Sequence, residues 1–192
     1  NGSTITNLNQ IEKYLENTKQ KKNLNKHIGG LFKAKHGAHQ VFIDIEKPPQ
    51  KNLSKCYQSG PLSFEYFLDG LKIVSNSGFG VNISKKAETL SRLTACQSTL
   101  TLNETSVTKF EKNELINKVF GNSIQNSFKF YDFEIKNENV LIGCSATNNG
   151  YEKNFGCAHR REIYIDKFED CLRGIDHIFK KKDGFPVRYN FR

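Results

Sequence analysis

Side chains able to move a proton or hold an anion stand together in CAHRREIYI, residues 157–165. A strand there puts positions 157, 159, 161, 163 and 165 on one face, so His159 and Arg161 sit beside Cys157, Ile163 and Ile165. A guanidinium on a mostly apolar face needs a partner, since an unpaired buried charge costs on the order of several kcal/mol. Glu65 or Asp176 supplies that partner internally, or the face opens toward a carboxylate-bearing ligand. Arg160 reads equally well as a solvated charge or as an anion-binding group. A lone histidine is more often structural than catalytic.

Cysteine is the other reactive type, and five occur, at positions 56, 96, 144, 157 and 171. Their odd number and the lack of any CxxC spacing argue against a zinc ribbon or a dense disulfide framework, so buried free thiols are expected. The chain has no GxxxxGK[ST], HExxH or GxSxG, and the GFG at residues 78–80 is too short for a phosphate loop. His27, His36, His39 and His177 have no motif around them. A net charge of +9 favours a polyanion as partner, whether nucleic acid, an anionic membrane surface or an acidic polysaccharide. Basic residues interleave with aromatics at 128–131, but no recognised nucleic-acid module surrounds them, and nucleic acid is not expected as a partner. No apolar run approaches the ~18 residues of a membrane span.

Elements must position these groups. Leu62, Phe64, Tyr66 and Leu68 alternate with Ser63, Glu65 and Phe67; Asp69-Gly70 then tolerates positive φ, and Leu71, Ile73 and Ser75 resume the alternation, which predicts a β-hairpin. Upstream, residues 31–35 and 40–46 read as strands flanking a turn region at 36–39, and Pro48-Pro49 stops the second. A β run rich in threonine is expected at 98–102. Further strands are expected at 127–135, 140–146, 157–165, 171–178 and 187–191, and short helical stretches at 84–94 and 112–120, the latter ended by Gly121. Ile5, Leu8, Ile11 and Leu15 predict an amphipathic helix, followed by a polar linker at 17–25. Many strands at short spacing predict an all-β antiparallel β-sandwich with Leu62, Phe64, Ile73, Val140, Ile142, Ile163 and Ile165 mostly buried.

Four segments carry a resemblance. In order they are LSFE at 62–65, IVSNSG at 73–78, LTACQSTLTL at 93–102 and NNGYEKNFGCAHRREIYI at 148–165. They are similar to the HxHxDQLSFEL, LIVDPG, STAAHNTV and HDGYxxxFGxxHxRxL segments of the heparinase II/III-like polysaccharide lyases, in that family's order. The resemblance implies a supersandwich-like β-sandwich over residues 29–192, continuing past Arg192. Residues 1–28 would be the helix and linker left from a large helical toroid. It implies β-elimination on a uronate-containing acidic polysaccharide, glycosaminoglycan- or alginate-like, in a periplasmic or exported parent. That chemistry needs a base for the C5 proton, an acid for the C4 oxygen and a group neutralising the carboxylate. Several of these come from the toroid in the family, so no lyase activity is expected of the 192 residues alone.

The resemblance also places the family's HxH pair on Cys56 and Gln58 and the Asp beyond it on Gly60. The Asp of LIVDPG falls on Asn76, and the His of AHN falls on Gln97. Zinc-holding members draw ligands from these places, but amides are poor zinc ligands, so neither a metal nor a cofactor is expected and a hydrogen-bonded amide cluster is. Asn148-Asn149 stands where the family has His-Asp, while Tyr151, Phe155, Gly156, His159 and Arg161 match, Gly156 being read as a bulge. Candidate substrate-binding residues are therefore His159, Arg161, Tyr151, Gln58, Gln97 and Asn76, with His159 and Arg161 facing the toroid border. On that expectation Arg161→Ala weakens anionic oligosaccharide binding and leaves the melting temperature nearly unchanged. Catalytic residues are not assigned. The alternative is a non-catalytic carbohydrate-binding or structural sandwich module.

Overall fold

The computed structural model describes residues 26–180 and 187–191, so the helix and linker expected before residue 26 lie outside the described residues. Two antiparallel five-stranded sheets face each other. The first runs in chain order through β1 (Lys26–Ile28), β2 (Leu31–His36), β3 (His39–Asp44), β4 (Phe64–Leu68) and β5 (Leu71–Val74). The second orders β6 (Phe130–Asn137), β7 (Leu141–Asn148), β8 (Cys157–Asp166), β9 (Cys171–Lys180) and β10 (Val187–Phe191) in the same up-and-down manner. The hairpin turn uses Asp69 and Gly70, both at positive φ, the backbone that a tight two-residue turn requires.

Period-two alternation decides which side chains meet between the sheets. Phe32, Ala34, Val41, Ile43 and Tyr66 pack against Ile142, Cys144, Ala146, Ile163 and Ile165, with Leu62 closing one end. Phe64 is half-buried against this core. Ile73 and Val140, expected inside, are 56% and 52% exposed. The register shifts between Tyr66 and Phe67, so that Tyr66 faces Val74 and Phe67 faces Lys72; Ile73 is left as the extra residue on an edge strand. Val140 sits in the β6–β7 turn, where the Glu138 N–H donates to the Leu141 carbonyl.

The long β5–β6 connection holds two helices, α1 (Lys85–Ser91) and α2 (Glu114–Phe120). The Ser84 hydroxyl caps α1 by accepting from the Ala87 N–H, and Asn113 caps α2, which stops at Gly121 with φ 70°. Residues 98–102 form no strand: the backbone of Ser98 is taken up by Asn76 instead, and Leu102 bridges only to Thr105. Gly156 is no bulge; it is the left-handed C-cap of α3 (Glu152–Phe155). All five cysteines are free, but only Cys144 is buried, and Cys56 is exposed. No helix among the described residues is long and apolar enough to cross a membrane.

Candidate functional site: an amide-lined cleft on the first sheet

On the outward face of β3 and β4, Phe42 stands opposite Glu65 and Gln40 opposite Phe67, and Asp44 continues the same phase at the end of β3. Two loops, 58–63 and 76–97, rise beside them and enclose a cleft of about 580 Å³. Gln58, Asn76 and Gln97, far apart in sequence, all line it. Gly60 lies at its wall, where a Cβ would come 2.9 Å from Ser63 Oγ and 3.1 Å from Gln97 Cγ. A side chain at position 60 would therefore press on Ser63 and Gln97 of the cleft lining.

The amides are committed to one another and to the loops. Gln97 Nε2 donates to Gln58 Oε1 at 3.4 Å and to the Ser91 carbonyl at 2.7 Å. Asn76 Oδ1 accepts from the Ser98 N–H at 2.8 Å and its hydroxyl at 2.9 Å, while Asn76 Nδ2 donates to Ser63 Oγ. A zinc ion would find neutral amide oxygens in place of imidazole or thiolate, those of Gln58 and Asn76 already accepting hydrogen bonds. The residues at these three places do not fit it. No group of three or more His, Cys, Asp or Glu able to hold a metal occurs among the described residues.

Two carboxylates complete the lining. Burial pushes Asp44 up to about 6, although the Glu46 N–H pulls the other way. Glu65 takes Lys72 on Oε2 at 3.0 Å and the Asn76 N–H on Oε1. Phe42 and Phe67 meet edge to face, centroids 5.9 Å apart.

Beneath the cleft runs a chain of charge and hydrogen bonds rooted in the second sheet. Arg161, 8% exposed, is held bidentate by Asp176 at 2.7 and 2.8 Å and reaches across the interior to the Leu62 carbonyl at 2.8 Å and the Ser98 carbonyl at 2.6 Å. Its guanidinium also lies over the Phe64 ring. Of the two internal partners expected for it, Asp176 is the one used, and Arg161 points into the interior and not onto an open face. Burial works against the Asp176 charge, but hydrogen bonds from His159 and Arg161 outweigh it and hold this carboxyl well below the usual range.

His159, 1% exposed, shares the same carboxylate through Nε2 at 2.7 Å. Asn148 fixes its tautomer. Asn148 Oδ1 accepts the Gly150 N–H, so Nδ2 is the donor facing His159 Nδ1, and the histidine proton sits on Nε2 toward Asp176. Burial lowers the His159 pKa further, so the ring is neutral at pH 7. With both nitrogens engaged in the interior it has no free edge for a ligand.

Tyr151 is fully buried, and its hydroxyl donates to the Leu100 and Thr105 carbonyls and accepts the Leu102 N–H. It pins the 100–105 turn. The structure thus brings Gln58, Asn76 and Gln97 together at a surface and places His159, Arg161 and Tyr151 behind it.

Sequence reasoning missed the cleft's Asp44, Phe42 and Phe67, whose outward phase on β3 and β4 was the available signal. It also missed Arg92. This arginine is fully buried without a carboxylate: Nε and Nη2 donate to the Tyr57 and Ser54 carbonyls, Nη1 to that of Asn122, and the guanidinium lies 4.1 Å from the Phe110 centroid. It clamps the loop that carries Gln58. His39 and His177, which had no motif, are buried and paired with Asp170 and Glu162. Arg160 is neither free nor simply solvated: it bonds Glu134, Glu162 and the Ser145 hydroxyl.

A similar fold occurs in two crystal structures of the heparan sulfate lyase HepC from Pedobacter heparinus, one of them a mutant. Each superposes with TM-score 0.62 at 20% identity, over 93% of this chain and 26% of that one. The chain thus spans about a quarter of the length of the lyases it matches. No curated protein matches it. Fold and neighbours define an all-β antiparallel sandwich. A family model described as Heparinase II/III-like, C-terminal, matches residues 20–192, and the chain belongs to that family.

Proposed function

We propose that this chain is the β-sandwich part of a protein that cleaves a uronate-containing acidic polysaccharide by β-elimination, acting beside a helical toroid domain. The family match over residues 20–192 carries the reading. Gln58, Asn76 and Gln97 contact the glycan, and His159, Arg161 and Tyr151 act as positioning residues behind them. Elimination needs an accessible base near C5. Here His159 is locked between Asn148 and Asp176, and His39 is held by Tyr66 and Asp170. No histidine or tyrosine among the described residues lines the cleft, and the reading assigns proton transfer to the rest of the parent protein. The test is to incubate the longer parent protein with heparan sulfate and with alginate and follow the ultraviolet absorbance of an unsaturated uronate. Its formation supports the lyase.

A second reading, a non-catalytic carbohydrate-binding module, is favoured by one specific observation: amides or glycine occupy Gln58, Gly60, Asn76 and Gln97 where the resemblance leads one to expect His and Asp. Binding of these polymers without unsaturated product would select it.

A further inference from the structure

The formal charge of the chain and the charge of its cleft have opposite signs. The chain carries +9, yet among the described residues no lysine or arginine lines the cleft, while Asp44 and Glu65 both do. A carboxylate or sulfate placed inside would face two acidic side chains across a confined space, with like charges a few ångström apart. Two lysines stand just off the lining, beside its phenyl rings. Lys72 Nζ is 3.0 Å from Glu65 Oε2 and 5.2 Å from the Phe67 centroid, and Lys33 Nζ is 5.4 Å from that of Phe42.

What the cleft does offer suits a neutral polyol. One Asp44 oxygen accepts the Glu46 N–H, and the other has no hydrogen-bond partner among the described residues. Among the described residues Gln58 engages only its Oε1 and Gln97 only its Nε2, leaving the Gln58 amide donor and the Gln97 carbonyl for a ligand. Carboxylate and amide acceptors with one amide donor match adjacent hydroxyl groups, which both donate and accept. Phe42, Phe67 and Leu31 give an apolar wall for the C–H face of a ring. The volume of about 580 Å³ falls within the range of roughly 300–1,000 Å³ of small-molecule sites.

We propose that this cleft binds an uncharged pyranose unit, and that the acidic units of the same glycan project past its rim toward Lys33 and Lys72. The inference rests on the glycan reading above. It sharpens that reading by excluding the charged sugar from the cleft itself.

The probes are methyl glucoside and methyl glucuronide, which differ only in whether C6 is an alcohol or a carboxylate. Binding to the 192-residue chain is followed at pH 7.5 through the Asn and Gln side-chain amide signals in nitrogen-15 NMR. The expected result is saturable binding of the glucoside, with shifts at Gln58, Asn76 and Gln97, about tenfold or more tighter than the glucuronide and unchanged by EDTA. Phe67→Ala, which removes wall, and Gly60→Ala, which presses on Ser63 and Gln97, should each weaken the glucoside about tenfold. If either variant fails to fold, the mapped shifts on the unmodified chain decide alone. Equal or tighter binding of the glucuronide, no binding of the glucoside, shifts only elsewhere, a requirement for a divalent cation, or full affinity in both folded variants would each overturn the proposal. Turnover of a uronate polymer by the longer protein is a separate readout, so either claim can fail while the other stands.

Discussion

Arg161 carries a full charge into the sandwich, and its hydrogen bonds to Asp176, Leu62 and Ser98 are what make that tolerable. Truncating it leaves Asp176 with only His159 and strips two carbonyls of their donor. Arg161→Ala should therefore lower unfolding stability by about 3–5 kcal/mol, read from urea denaturation. This reverses the sequence-based expectation of a nearly unchanged melting temperature, and an unchanged temperature would mean the pair contributes little. Titration gives two further signatures. Asp176 is depressed in the fold, so its contribution is present above its ordinary value of 3.8 and is lost as pH falls below it. His159 is depressed as well, so it adds stability above 6.5 that is lost as pH falls through its lower folded value. Asp44 has the opposite sign: its folded value of about 6 lies above 3.8, so its contribution is full below 3.8 and lost as pH rises through about 6. Asp44→Asn should thus melt higher than the unmodified chain at pH 8 and alike below about pH 4. A constant difference across that range would assign the effect to packing.

At the scale of elements, the loops between β5 and β6 depend on single buried anchors. Tyr151→Phe keeps the ring and removes the hydroxyl that ties Leu100, Leu102 and Thr105. It should destabilise by about 1–3 kcal/mol and expose the 100–105 turn to protease; resistance equal to that of the unmodified chain would deny the anchor. These anchors mark where the sequence stops being legible. The β4–β5 hairpin, the paired strands of the second sheet and the caps of α1 and α2 are local signals, and alternation, Asp69-Gly70, Ser84 and Gly121 locate them. Ile73 eluded the alternation because one bulge on an edge strand undoes the period. The partners of Arg161 and Arg92 lie 30 or more residues away except for Asp176, and no spacing rule reaches that far. The amide trio was found through the family resemblance. The acidic and aromatic side chains facing it required the sheet register.

For the whole molecule, the chain matches 26% of the length of HepC, and none of its described histidines brings a free base to the cleft. The purified 192-residue chain should give no unsaturated product from any uronate polymer, and turnover by it would refute the assignment of proton transfer to other parts of the protein. Elemental analysis after dialysis should find far less than one zinc per chain, since Gln58, Asn76 and Gln97 offer it only neutral amides; a stoichiometric ion would mean other ligands had been recruited. Circular dichroism should be dominated by β-structure. Arg161 adds a kinetic consequence. Because one side chain fastens β9 to the carbonyls of Leu62 and Ser98, the floor of the cleft cannot open without disturbing the opposite sheet. In native-state hydrogen exchange, the Ser98 N–H, bonded to Asn76, and the central amides of the β8–β9 ladder should then exchange through one shared opening, with a common dependence on denaturant.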